Sequence, residues 1–253
     1  MALDWELRKH GPADAAQTVL LLPGGMCSAG AFAEVMAEPS LADLRLVAAT
    51  LPGQTGAAPL DDSSVENYAR VVSELAEQVG ADIVLGFSMG AVVAVEMVVS
   101  GAFTGPVVLL GVSLSTKDEP WFFRALVRLG AGGLLAKAAA SMVKRIPASD
   151  ERRAELRADF RRNVSADAQQ SLREYLVWLG RGEGRAQRLC DAGVPAWVVH
   201  AEKGDGGLTD EERRTLEACP HVRLVTIPGH VFFLPNEVPG RIADVLVQAA
   251  GRD

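Results

Sequence analysis

The segment Gly86-Phe87-Ser88-Met89-Gly90 sets a serine between two glycines, each two residues away. The run before it, Asp82-Phe87, is apolar and strand-like, and the run after it, Met89-Ser100, is helix-like. A serine in a sharp strand-to-helix turn is pushed out above a sheet. Small residues on either side relieve the crowding, and the positive end of the helix dipole lies beside the hydroxyl. Such a hydroxyl can attack a carbonyl carbon. The bare pattern occurs often by chance; the strand before and the helix after give Ser88 the setting of a nucleophile.

A serine hydroxyl needs a base at neutral pH, and the base needs an orienting carboxylate. Of the four histidines, His10 lies near an N-terminal strand and a Gly-Pro turn, His200 falls inside the apolar run Trp197-Ala201, and His221 precedes a strand at the opposite edge. His230, in Pro228-Gly229-His230, follows the last strand and precedes the C-terminal helix, so its loop opens at the same sheet edge as Ser88. His230 is therefore the expected base. The acid is expected from another loop on that edge, between serine and histidine in chain order. Asp205, in Glu202-Lys203-Gly204-Asp205-Gly206-Gly207, fits best; Asp118 is its rival and Glu202 a weaker one. Two N–H groups should receive the oxyanion, that of Met89 and that of Gly25 or Met26 in the turn Pro23-Gly24-Gly25-Met26. Cys27 has no basic residue near it in sequence and reads as a free buried thiol. With Cys190 and Cys219 it forms no CxxC spacing, so neither a metal site nor a disulfide framework is expected.

These side chains need a scaffold. Apolar runs at Thr18-Leu22, Leu44-Ala48, Asp82-Phe87, Pro106-Ser113, Pro195-Ala201 and Val222-Ile227 are mostly continuous rather than alternating, the mark of parallel strands covered on both faces. Helical patterns separate them at Val65-Val79, Met89-Ser100, Thr209-Ala218 and Pro239-Ala250, with Thr209 as a cap and Pro239 as an opener. The alternation predicts an α/β fold with a mostly parallel sheet flanked by helices. It breaks between about Leu114 and Leu189, where Trp121-Ile146, Asp150-Val164 and Ala166-Gly180 all read as helices. The predicted organisation is a core over 1–113 and 190–253 with a helical insertion over 114–189. Trp121, Phe122 and Trp178 in the insertion are candidate pocket residues, in keeping with the apolar linings of small-molecule sites.

A net charge of −7 argues against nucleic-acid partners. The arginines Arg152, Arg153, Arg157, Arg161 and Arg162 alternate with acidic residues and read as a solvated helix face. The N-terminal segment carries charges where a secretory signal needs an apolar run, and no uncharged apolar stretch is long enough to span a bilayer, so a cytoplasmic location is expected.

Taken together, Leu21-Leu22-Pro23-Gly24-Gly25, Leu51-Pro52-Gly53, Gly-Phe-Ser-Met-Gly, Glu202-Lys203-Gly204-Asp205 and Pro228-Gly229-His230 resemble the α/β-hydrolase family over nearly the whole chain. The resemblance implies that the insertion is a lid and that the activity is hydrolysis of an ester, thioester or related bond without a cofactor. It departs from the family in having Pro23-Gly24 where many members have His-Gly, and in an acid one residue later than the commonest spacing. Pro23-Gly24-Gly25 with Ser28-Ala29-Gly30-Ala31-Phe32, and Ser88-Met89-Gly90-Ala91 with Glu96, are also similar to the type II thioesterase branch. The expected substrate is a small hydrophobic acyl compound. A non-hydrolytic, cofactor-free lyase and a binding protein that lost catalysis are the alternatives the fold allows.

Overall fold

A computed structural model describes residues 3–163, 166–204 and 207–252, with the side chain of Arg145 excepted. The strands are β1 (Leu7–His10), β2 (Thr18–Leu22), β3 (Arg45–Ala49), β4 (Ile83–Phe87), β5 (Val107–Leu110), β6 (Ala196–Lys203) and β7 (Val222–His230). The helices are α1 (Ala33–Met36), α2 (Val65–Val79), α3 (Met89–Val99), α4 (Trp121–Arg128), α5 (Gly132–Met142), α6 (Asp150–Arg162), α7 (Ala166–Gly180), α8 (Arg185–Asp191), α9 (Asp210–Glu217), α10 (Leu234–Glu237) and α11 (Pro239–Ala249).

The strands form one sheet in the order β1-β3-β2-β4-β5-β6-β7, parallel except for the antiparallel edge strand β1. β2, β4 and β5 are buried at every position, which is why their sequences are continuously apolar. Helix α3 runs directly out of β4 and is buried almost all round, so it carries no polar stripe. Helix α2 keeps a polar face. Ser64 caps its start by accepting from the Asn67 N–H, and Gly80 ends it in the left-handed conformation (φ 65°). Thr209 and Glu212 form a reciprocal capping box at α9.

Between β5 and β6 the chain passes through helices α4 to α8 with no strand among the described residues. Helix α6 differs from a plain solvated face. Its Arg152 side chain is only 12% exposed and donates to Glu34 of α1 (2.7 Å) and to Glu155 (2.6 Å), tying α6 to the core. Glu155 also pairs with Arg8 of β1 (3.5 Å), while Arg153–Asp150 and Arg162–Asp159 are the expected local pairs.

Two expectations are corrected here. His230 is not in a loop after the last strand: β7 continues through Pro228 and Gly229, and His230 pairs with Lys203 across a register shift that follows Ala201. At the shift Pro228 and Gly229 stand opposite the single residue Glu202, a bulge that carries them without ladder partners. Cys190 and Cys219, read as unpaired, form a disulfide with their Cα atoms 5.8 Å apart. No spacing rule announces it, because the fold alone brings the end of α8 beside the turn between α9 and β7. His221 stands at the bridge, its Nε2 2.7 Å from the Cys190 carbonyl oxygen and 3.2 Å from Cys219 Sγ. None of the described helices is long and apolar enough to cross a membrane.

Candidate active site

Ser88 occupies the turn between β4 and α3 with φ 50° and ψ −113°, a combination that a side-chain-bearing residue adopts only under constraint. The constraint is supplied from both sides. The Ser88 N–H donates to the Leu110 carbonyl of β5 (2.8 Å), and the Ser88 carbonyl accepts from Val92 (3.0 Å) to start the helix. The turn closes only because its flanks lack Cβ atoms. A Cβ at Gly86 would lie 2.4 Å from the Gly90 carbonyl oxygen, and one at Gly90 would lie 2.2 Å from that of Leu22.

Ser88 lines a cavity of about 270 Å³. Part of the lining is the turn after β2, with Gly24, Gly25, Met26 and Cys27; part comes from the helical segment, with Phe122, Phe123, Leu135 and Leu172. The turn is braced from beneath by polar side chains. Met26 has φ 69° and Thr55 φ 50°, and both strained residues are pinned. The Met26 N–H donates to Gln54 Oε1 (2.8 Å), and its carbonyl accepts from Asn163 Nδ2 (2.9 Å). Asn163 Oδ1 accepts from the Thr55 N–H (2.8 Å). Ser28 donates to Asp159 (2.5 Å), and the Ala29 N–H donates to Thr50 Oγ1 (2.8 Å). Hydrogen bonds linked in this way between distant segments hold a loop in one conformation.

The bracing separates the two candidate donors in this turn, since the Met26 N–H is spent on Gln54. The N–H groups of Gly25 and Met89 have no acceptor among the described residues, and both residues line the cavity beside Ser88.

Other expected residues are dispersed. His230 is exposed at the end of β7. Its ring approaches the cavity at Gly204, where a Cβ would lie 3.1 Å from His230 Cε1, and no hydrogen bond joins it to Ser88 among the described residues. Asp205 lies outside the described residues. Glu202 accepts from the Gly229 N–H (3.0 Å), next to His230. Asp118 faces into its own loop, where Oδ2 accepts from the N–H groups of Leu114 (2.8 Å) and Ser115 (2.9 Å). Phe122 lines the cavity, but Trp121 is 74% exposed and outside it. Trp178 does not line it either: it is buried beneath Arg185 and donates from Nε1 to Glu96 Oε2 (2.9 Å). A tryptophan N–H needs an acceptor when buried, and Glu96 supplies one away from the cavity. His10 is exposed on β1 and His200 is buried within β6. Cys27 is buried and unbridged. Burial, aided by the charge of Asp159, pushes its thiol up to about 12, so it stays neutral and unreactive.

Glu119 is a cavity residue that the sequence did not signal. It follows β5 in a polar loop without a motif, and only its position at the strand's carboxyl edge could have pointed to it.

Burial, with the neighbouring Glu212 carboxylate adding to it, pushes the Asp118 carboxyl up to about 7. The unfolded chain releases that proton near pH 3.8, the ordinary value. The folded protein therefore holds a proton that the unfolded chain has lost. The stability this lends is full below pH 3.8 and disappears as pH rises through about 7. Asp118→Asn removes the dependence. Its Tm relative to wild type should rise between pH 4 and pH 8 by about 5 °C, on the order of 2 kcal/mol after solvent screening. Thermal melts at both pH values check this; an equal offset at both would contradict it.

A model of the alpha/beta hydrolase family matches residues 19–245. A search of curated proteins returned no match. Among solved structures, the chain is similar to the enol-lactonase from Burkholderia xenovorans LB400, at 18% identity over 99% of each chain with a TM-score of 0.76. It is also similar to a thermophilic esterase from Thermogutta terrifontis, at 16% identity over 99% of this chain and 94% of that one, with a TM-score of 0.73. A third likeness is to the thioesterase domain from the curacin biosynthetic pathway, at 17% identity over 98% of this chain and 100% of that one, with a TM-score of 0.70.

Proposed function

The chain belongs to the alpha/beta hydrolase family, and from that premise we propose that it is a serine hydrolase cleaving a carboxylic ester or thioester of a small hydrophobic acyl compound. One observation carries the reading: a strained serine lines a mainly apolar cavity beside two N–H groups, of Gly25 and Met89, that have no acceptor among the described residues. The helical segment over 114–189 acts as the lid of that cavity.

In this reading Ser88 Oγ attacks the acyl carbon while His230 takes its proton. The carbonyl oxygen becomes an oxyanion and accepts from Gly25 and Met89. His230 returns the proton to the departing alcohol or thiol, leaving an acyl-enzyme. Water then attacks with His230 again as base, releasing the acid and restoring Ser88. Asp205 holds the histidine's tautomer, a role assigned from its place in the sequence. The residues supply every proton transfer the chemistry needs, and no cofactor enters.

A screen of p-nitrophenyl esters, acyl thioesters and lactones, run on wild type and His230→Ala, tests the function. Turnover is expected on at least one acyl class, with apolar acyl groups preferred over short polar ones. It should fall by roughly a thousandfold or more in the variant, as loss of a general base within an acting unit does. No turnover on any class, or an unaffected variant, would contradict the reading. The ratio of ester to thioester rates decides between an esterase and a thioesterase.

A further inference from the structure

Among the described residues, a single carboxylate breaks the apolar lining of the cavity. Glu119, in the loop between β5 and α4, faces it, and no Lys, Arg or His lines it. Glu119 Oε1 accepts from Ser113 Oγ (2.7 Å) and from the Tyr175 hydroxyl. Its Oε2 takes a hydrogen bond from none of the described residues, and no ion pair engages it among them.

The surroundings fix what could answer this charge. Burial, and after it the charge of Glu119, pushes the Tyr175 phenol well above its ordinary range, so the hydroxyl remains a donor. The rings are set at angles: Phe123 meets Tyr175 edge-on at 6.5 Å, and Phe232 meets Phe233 in the same way at 4.9 Å. All four line the cavity, as do Phe122 and Phe160. Aromatic faces attract cations through their quadrupole. A substrate filling the cavity displaces water from Glu119, and a carboxylate so stripped is costly unless the substrate brings a compensating charge or donor. An anionic group would meet Glu119 without a cation to offset it.

We infer that the cavity takes an acyl substrate bearing an ammonium group, seated between the Glu119 carboxylate and the aromatic wall. Glu119 is a specificity-determining residue and takes no part in the proton transfers. The inference rests on the proposed role of Ser88 and adds the substrate's charge to it.

The test uses p-nitrophenyl esters of alkanoic acids ending in a trimethylammonio group, each paired with its neutral tert-butyl isostere. Wild type should favour the cation by about tenfold or more in kcat/KM, the scale of one desolvated cation–π contact with a facing carboxylate. In Glu119→Gln the ratio should fall toward one. Equal rates on both esters in wild type would overturn the cation site, and so would a preference that survives Glu119→Gln. An enzyme that hydrolyses neither ester contradicts the Ser88 reading instead. A measurement on wild type alone does not depend on the variant folding: benzyltrimethylammonium should inhibit competitively where benzyl alcohol at equal concentration does not. Equal inhibition by the two would overturn the inference.

Discussion

Replacing Ser88 by alanine is expected to lower kcat/KM on the best ester by at least about ten thousandfold, while the protein stays folded. Loss of a serine nucleophile in a unit of this kind costs on the order of a millionfold in kcat, and what survives comes from the remaining donors and binding. The stability arm is specific to this turn. At φ 50° and ψ −113° the serine pays a conformational cost of roughly 1–3 kcal/mol that alanine, which also carries a Cβ, keeps. Glycine relieves it. Ser88→Gly should therefore be as inactive as Ser88→Ala and yet melt higher by about 3 °C or more, in line with the stability–activity trade-off at strained sites. Steady-state kinetics and thermal melts of the two variants check both halves. A Ser88→Gly protein that melts lower than Ser88→Ala would contradict the strain argument, and an active Ser88→Ala would contradict the role of the serine.

Gly90→Ala is expected to be the most damaging single methyl group in this region. Its Cβ would lie 2.2 Å from the Leu22 carbonyl oxygen and 2.7 Å from that of Pro23, both backbone atoms. Neither can swing aside as a side-chain tip can. Leu22 ends the fully buried β2, and Pro23 leads into the turn that carries Gly25. Relief must come from moving α3 away from β2, which breaks packing at the centre of the sheet and separates Met89 from Gly25. A loss of about 4 kcal/mol or more follows, a fall of roughly 10 °C in Tm. Any folded fraction should have lost most of its kcat, because a donor misplaced by an ångström forfeits catalysis. A Gly90→Ala protein with wild-type Tm and kcat would show that the turn has room that the distances deny.

Much of this arrangement was legible in the sequence because burial on both faces writes itself plainly. β4 and β5, and β2 after Thr18, carry no polar side chain, and α2 is bounded by its own cap and its own glycine. Ser88 was legible for the same reason: a strand, a turn and a helix in immediate succession allow few geometries. What was hidden depends on contacts between distant segments. Pro228-Gly229 reads as a turn, yet it forms a bulge in β7, and pairing with β6 resumes at His230. Gln54 and Asn163 lie far from the turn after β2 in sequence, and only folding brings them to Met26. Trp178 and Trp121 are both large and apolar, and composition cannot tell that one is buried on Glu96 while the other faces solvent. Glu119 looked like any loop carboxylate until α7 set Tyr175 against it.

The central claim is that an acyl group passes through Ser88, and trapping that intermediate tests it most directly. Wild-type protein is mixed with a p-nitrophenyl ester, quenched in acid within the first turnovers, and examined by intact-mass and peptide mass spectrometry. The account predicts one acyl adduct per chain, mapped to the peptide containing Ser88 and absent from Ser88→Ala. Release of p-nitrophenol without any covalent adduct, or an adduct mapped to another residue such as Cys27, would contradict it.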